Sequence, residues 1–238
     1  MQLMGKDNIR GHSLLQSILT YDADSTRLDL RKASRGCLVV LEGIDGTGKT
    51  TLAQTLGKKL SDDLGEMVVV TQEPTERFQG FRELEHLISD WPAGNVRPEA
   101  ITSLKFTLDH AIHLADVIIP ALADDRVVIC DRWTPFSSRA YQGPVASVLT
   151  QEWDICPDVS ILLTLAPDKA LERLKKRPEG QLKCFEKLET LQKAQEVYMG
   201  LALQNPLKWL YFDALLPQEI LLDKACKVIT STISKRRG

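Results

Sequence analysis

An α/β fold, with a parallel five-stranded sheet covered by helices on both faces, is predicted by three observations. Short, near-continuous apolar runs alternate with helical patterns from residue 37 to the C-terminus, as buried parallel strands and crossover helices do. The stretch Gly43-Ile44-Asp45-Gly46-Thr47-Gly48-Lys49-Thr50 fits G-x-x-x-x-G-K-[ST] and stands between the first apolar run and the first helical pattern. Chemistry-bearing residues then follow the strands, where open α/β sheets bind their ligands.

The elements follow in order. Residues 1 to about 35 are polar except for an amphipathic stretch, Leu14-Leu15 to Ile18-Leu19, compatible with a docking helix or a loosely held extension. Strands are predicted at Leu38–Leu41, Met67–Val70, Val127–Cys130, Val159–Leu165 and, on the weakest pattern, Trp209–Phe212. Helices are predicted at Lys49–Leu64, Phe81–Ser89, Pro98–Ala123, Asp168–Lys176, Phe185–Leu203 and Pro217–Ser234. Pro98 suits a helix's first turn, with Asn95 as an earlier cap. No repeat or long linker divides the chain, so residues 36–238 read as a single domain behind an N-terminal extension.

The glycine motif is the most specific signal. In a strand–loop–helix context it makes a P-loop: Gly43, Gly46 and Gly48 let backbone N–H groups approach phosphate oxygens, and the helix N-terminus adds partial positive charge. Lys49 would reach the β- and γ-phosphates of a nucleotide, the Thr50 hydroxyl would ligate Mg²⁺, and Thr47 and Thr51 flank the same phosphates. The fold is therefore of the P-loop NTPase type.

Composition narrows the function. The chain has 238 residues, 43% hydrophobic and 26% charged, with a net charge of -2, so no basic footprint for nucleic acid is present. No apolar run approaches the roughly 20 residues that span a bilayer. Five cysteines lie scattered without C-x-x-C spacing and read as reduced thiols. These features point to a cytoplasmic protein with neither nucleic acid nor membrane as partner.

After strand two comes Thr71-Gln72-Glu73-Pro74-Thr75, and after strand three Asp131-Arg132-Trp133. Asp131 stands where a P-loop protein places its second acidic residue, to hold Mg²⁺ directly or through water; capping the next helix is the plainer role. Arg132 suits a substrate phosphate, which guanidinium binds bidentately, against the plainer role of a surface salt bridge. The helix after strand four ends in Arg173, Lys175, Lys176 and Arg177, followed by Pro178 and Gly180, a basic and hinge-capable segment. A solvated basic face is the plainer reading there.

Taken with Glu42-Gly43 to Thr50, Glu73-Pro74-Thr75, Asp131-Arg132-Trp133, Ala140-Tyr141-Gln142-Gly143, Val117 to Leu122 and Phe185-Glu186-Lys187-Leu188-Glu189, the chain resembles the thymidylate kinase family from about Cys37 onward, and archaeal members in particular. The resemblance implies transfer of the γ-phosphoryl group of ATP to thymidine monophosphate (dTMP), with Mg²⁺ as cofactor and a homodimer as the assembly. It places Asp45 beside the acceptor's sugar and phosphate, Phe106 against thymine, Arg132 on the acceptor phosphate and Tyr141 beneath the sugar, with Gln142 following. Glu73 and Pro74 border the acceptor, with Glu73 able to orient Arg132. His110, one helical turn beyond Phe106, stands where many members carry an arginine that bonds the base.

There are departures. Gln72 stands where an arginine often precedes Glu-Pro, and the segment between Asp131 and Tyr141 is one residue longer than the family's usual pattern, with Pro135 as a predicted bulge and Ser138 or Ser137 facing the base. The P-loop lacks the arginine of some members. A lid over residues 173–186 would then supply the transition-state cation through Arg173 or Arg177, which share a helical face. A deoxynucleoside kinase and a catalytically idle nucleotide-binding subunit are the competing functions. A GTP switch is disfavoured by the lack of an Asn-Lys-x-Asp sequence.

Overall fold

Five parallel strands in the order β2-β3-β1-β4-β5 form the frame. The computed structural model describes residues 34–81, 98–142, 155–178, 182–183, 185–204 and 209–238. The strands are β1 Cys37–Glu42, β2 Val68–Gln72, β3 Val127–Asp131, β4 Val159–Thr164 and β5 Trp209–Asp213. The helices among the described residues are α1 Lys49–Leu64, α2 Pro98–His113, α3 Ile119–Ala123, α4 Thr134–Gln142, α5 Pro167–Lys175, α6 Leu188–Gln204 and α7 Gln218–Arg237. The N-terminal extension and most of the predicted Phe81–Ser89 helix lie outside the described residues; Phe81 itself closes a 3₁₀ turn, Glu76–Phe81.

Burial explains the strand sequences. β1 and β3 are buried along their whole length, whereas edge strand β2 is half exposed, with Val70 largely in solvent. Central strands covered on both faces need continuous apolar runs, and edge strands do not. On one face Cys37, Val39 and Leu41 pack with Leu52, Leu56 and Leu60 of α1 and with Ile229 and Ile233 of α7. On the other, Leu38 and Val40 pack with Leu114, Ile118 and Ala121. Pairing of β1 with β3 aligns Leu41 with Asp131, so the P-loop and the Asp131-Arg132 segment leave the sheet at the same edge.

The helices differ from the sequence expectation in three respects. The predicted helix 98–123 contains a π-helical turn at Leu114–Ile118, before Pro120 enters the first turn of α3. That extra residue per turn is invisible to a 3.6-residue period. The stretch Ala100–Ala123 is long and apolar enough to cross a membrane, but it buries Ile101, Leu114, Ile118 and Ala121 in the core. Helix α4 was not expected; Pro135 lies in its first turn, so it starts a helix rather than forming the predicted bulge.

The loop is also held by packing. Gly46 has φ +86, and a Cβ there would lie 2.6 Å from the Ala170 carbonyl and 3.1 Å from Leu174 Cγ. Gly46→Ala is accordingly expected to destabilise the fold by about 2–4 kcal/mol, combining backbone strain with a clash against α5. Urea unfolding of the purified variant measures it.

Candidate active site

The site is assembled at the carboxyl edge of β1, β2 and β3. The loop from β1 to α1 turns through positive φ at Gly43, Gly46 and Gly48. Thr47 donates its hydroxyl to the Ile44 carbonyl (2.9 Å), which closes the turn. Lys49 is buried, and its ammonium donates to the carbonyls of Gly43 (2.9 Å) and Ile44 (3.0 Å). Burial pushes the Lys49 pKa down, and the Arg132 charge adds to this; Asp131, Asp45 and Glu42 oppose it. Thr51 lies on the exposed side of α1.

Thr50 and Asp131 meet as the sequence predicts: the Thr50 hydroxyl donates to Asp131 Oδ2. The other oxygen, Asp131 Oδ1, is buried with no hydrogen-bond partner. An orphaned carboxylate oxygen beside a hydroxyl suits a hard cation, which takes oxygen ligands. Both residues line a cleft of about 460 Å³ that runs past Gln72, Thr75, Arg77 and His113.

Arg132, Asp45 and Tyr141 also come together. Arg132 pairs with Asp45 Oδ1 and donates to the Tyr198 hydroxyl (3.1 Å) and the Gly43 carbonyl (3.4 Å). Its guanidinium carbon stands 5.2 Å from the centre of the Tyr141 ring, and the Asp45 N–H donates to the Tyr141 hydroxyl at 3.0 Å. Burial works to raise the Asp45 pKa, but the Arg132 and Lys49 charges outweigh it and hold the carboxyl below its ordinary range; Lys183 adds to the effect. Burial pushes Tyr141 up to about 12, so its hydroxyl stays protonated.

Glu73 does not orient Arg132 directly. Its Oε2 accepts from the Thr134 N–H (2.6 Å), and its Oε1 meets Nδ1 of both His110 and His113 at 2.8 Å. Burial alone would raise its pKa, yet the two histidines together hold it well below the usual carboxylate range. Donor atoms of Glu73, His113 and Cys130 lie within 4.8 Å of one another. The Cys130 thiol donates to the Arg132 carbonyl (3.0 Å), and His113 Nε2 meets the Thr71 hydroxyl (2.7 Å). Hydrogen bonds therefore engage all three residues, and the cluster reads as a structural bracket between β2, β3 and α2. Glu73→Gln exchanges an oxygen acceptor for an amide donor in this bracket. A loss of about 3 kcal/mol is expected, the range for breaking a buried charged pair, and chemical denaturation measures it.

Several predicted residues sit elsewhere. His110 is fully buried, bonded to Glu73 and edge-on to Trp133 at 4.7 Å, so it is a core residue rather than a reader of the base. The carboxylate rising from β2 turns this face of α2 inward. Ser138 is buried and donates to the Thr134 carbonyl within α4, and Ser137 is buried beside it. Gln142 ends α4, and its side chain lies outside the described residues. Arg173 donates to the Ala214 carbonyl (2.9 Å), tying α5 to the loop after β5, and Arg177 pairs with Glu186 at 2.6 Å. Arg173 and Arg177 are thus both engaged within the scaffold. Pro74 is half-buried beyond Glu73. Phe106 is half-buried and packs against Phe78, the ring centres 4.4 Å apart and the planes tilted by 39°, a partner no sequence pattern singled out. Tyr198 and Glu42 were missed as well: Tyr198 reads as helix packing, and Glu42 as a polar end to a strand.

A family model, described as thymidylate kinase, matches residues 41–225. The chain belongs to the thymidylate kinase family. It is 35% identical over 215 residues to a probable thymidylate kinase of Methanosarcina mazei, covering 84% of this chain and 98% of that protein. A probable thymidylate kinase of Methanospirillum hungatei is 38% identical over 203 residues, covering 81% and 93%. One from Pyrococcus horikoshii is 40% identical over 184 residues, covering 72% and 85%. The protein is a thymidylate kinase enzyme with ATP as co-substrate, and the deoxynucleoside kinase and idle-subunit alternatives give way to that match. The matched region spans the P-loop, the Asp131-Arg132 segment and residues 173–186.

Proposed function

We propose that thymidylate kinase activity is carried out here by an in-line transfer between two groups of residues facing one another across the P-loop. Lys49 and the loop N–H groups from Gly43 to Thr51 hold the phosphates of ATP, and Arg132 presents the 5′-phosphate of dTMP. The observation that carries this reading is the convergence of Arg132, Asp45 and Gly43, which sets a guanidinium directly against the phosphate loop. The acceptor oxygen is already anionic, so the reaction needs positioning and charge neutralisation rather than a general base.

Asp45 holds Arg132 in place, Tyr141 packs under the acceptor's sugar, and Phe106 with Pro74 borders the base. The Phe106 ring offers a flat apolar face, and stacking on such a face adds affinity without hydrogen-bond readout. Thr50 and Asp131 hold Mg²⁺, which when bound neutralises charge on the donor phosphates. The segment 173–186 acts as the lid, excluding water that would otherwise hydrolyse ATP. The family's pairing into homodimers and a cytoplasmic setting extend to this chain in the same proposal.

Steady-state ADP release with a panel of nucleoside monophosphates, and with thymidine itself, tests the reading. Turnover is expected with dTMP, to depend on Mg²⁺ and to be lost on chelation. Equal turnover with thymidine, or turnover that survives full chelation, would contradict it.

A further inference from the structure

We infer that Glu42 is a positioning residue that sets the backbone of Arg132, and through it the grip on the acceptor's phosphate; this rests on the role given to Arg132 above. Arg132 has φ +75, a left-handed conformation that residues with a side chain seldom hold. Such a conformation persists only where its surroundings over-determine it. Here they do. The Arg132 N–H donates to the Leu41 carbonyl (2.9 Å), which carries the β1–β3 pairing one residue past the strand. The chain then turns, and the next two N–H groups are each caught by a buried carboxylate: Trp133 by Glu42 Oε1 and Thr134 by Glu73 Oε2, both at 2.6 Å. The Cys130 thiol satisfies the Arg132 carbonyl from behind.

Glu42 is the member of this set that packing alone does not explain. It is fully buried at the end of an apolar strand, a costly place for a carboxylate, and burial pushes its pKa up despite the nearby Arg132. The Tyr198 hydroxyl also faces this carboxylate and works against the effect of burial. Were a side chain needed only to fill space there, an aliphatic one would serve better. The acid supplies an acceptor for the Trp133 N–H, beside a contact to the Tyr198 hydroxyl that Arg132 also uses, and an unmet N–H at that point would be costly in its own right. The consequence falls on the arginine: with its backbone pinned on both sides, its guanidinium lies over Gly43, Asp45 and Tyr198 rather than free in solvent.

The test is a kinetic cycle with Glu42→Ala, Glu42→Gln, Arg132→Ala and the Glu42→Ala/Arg132→Ala double variant, varying dTMP and ATP separately. Glu42→Ala is expected to raise the KM for dTMP about tenfold and to leave the KM for ATP within about twofold. In the Arg132→Ala background the same change is expected to add less than about twofold, because the two residues act through one contact. Glu42→Gln keeps an oxygen for the Trp133 N–H and is expected to stay within about threefold of the parent. An unchanged dTMP KM in Glu42→Ala, or losses that multiply in the double variant, would overturn the inference while Arg132 keeps its role. Should Glu42→Ala fail to fold, Glu42→Gln decides alone: a tenfold rise in its dTMP KM at unchanged thermal midpoint overturns the inference. No effect of Arg132→Ala on dTMP would remove the underlying assignment itself.

Discussion

Lys49→Ala is expected to lower kcat by about 10³-fold, because it removes an ammonium buried at the phosphate loop, and preorganised cationic or hydrogen-bond groups of this kind are worth about 10²–10³ each in turnover. The fold is expected to survive. The ammonium is held out of water, and burial already disfavours its charged form, so the native state gains little from it. What it loses are two bonds to the Gly43 and Ile44 carbonyls, which also lie beside the glycine turn. Circular dichroism and thermal melting should show a parent-like protein, while coupled-assay turnover falls to near background. Turnover within tenfold of the parent would remove Lys49 from the phosphate site.

Arg132→Ala is expected to raise the KM for dTMP by about 10²-fold with little change in the KM for ATP. A bidentate, charge-assisted contact to a phosphate contributes about 3 kcal/mol, roughly that factor. The same change strands Asp45: its carboxyl is held in the charged form by Arg132 first and Lys49 second, against burial that favours protonation. Its pKa is therefore expected to move upward in the variant, and NMR titration of the carboxyl would follow it. Arg132→Lys should recover only part of the affinity, since a single ammonium lacks the fork. The backbone gives an internal control. At φ +75 glycine is unstrained and alanine is not, so Arg132→Gly is expected to be more stable than Arg132→Ala by about 1 kcal/mol although both lose the guanidinium.

The legible part of the sequence is the part set by local chemistry. The glycine motif, the apolar runs of β1, β3 and β4 and the Asp131-Arg132 pair are each dictated by a requirement within a few residues, and they meet at one edge of the sheet. Contacts between distant elements were hidden. Periodicity puts His110 on the Phe106 face of α2, yet it does not reveal that Glu73, 37 residues earlier, reaches into that helix and makes the face a core. The same holds for Arg173 and Arg177, whose partners Ala214 and Glu186 belong to a loop after β5 and to the segment before α6. Helix α4 carries a recognisable signal in Pro135, but Ser137-Ser138-Arg139 dilutes the apolar period that would have extended it. Glu42 shows the opposite problem. An acid at a strand end looks solvent-facing in sequence, and its burial follows only from the turn that brings the Trp133 N–H down onto it.

The central claim is that one guanidinium faces the P-loop and presents the acceptor's anion to it. A crystal structure with dTMP and a non-hydrolysable ATP analogue bound together tests it most directly. The dTMP phosphate is expected on the Arg132 guanidinium, in line with the analogue's terminal phosphate, and that phosphate within hydrogen-bonding reach of Lys49. A dTMP phosphate bound away from Arg132, with the guanidinium still closed on Asp45 and Tyr198, would contradict it.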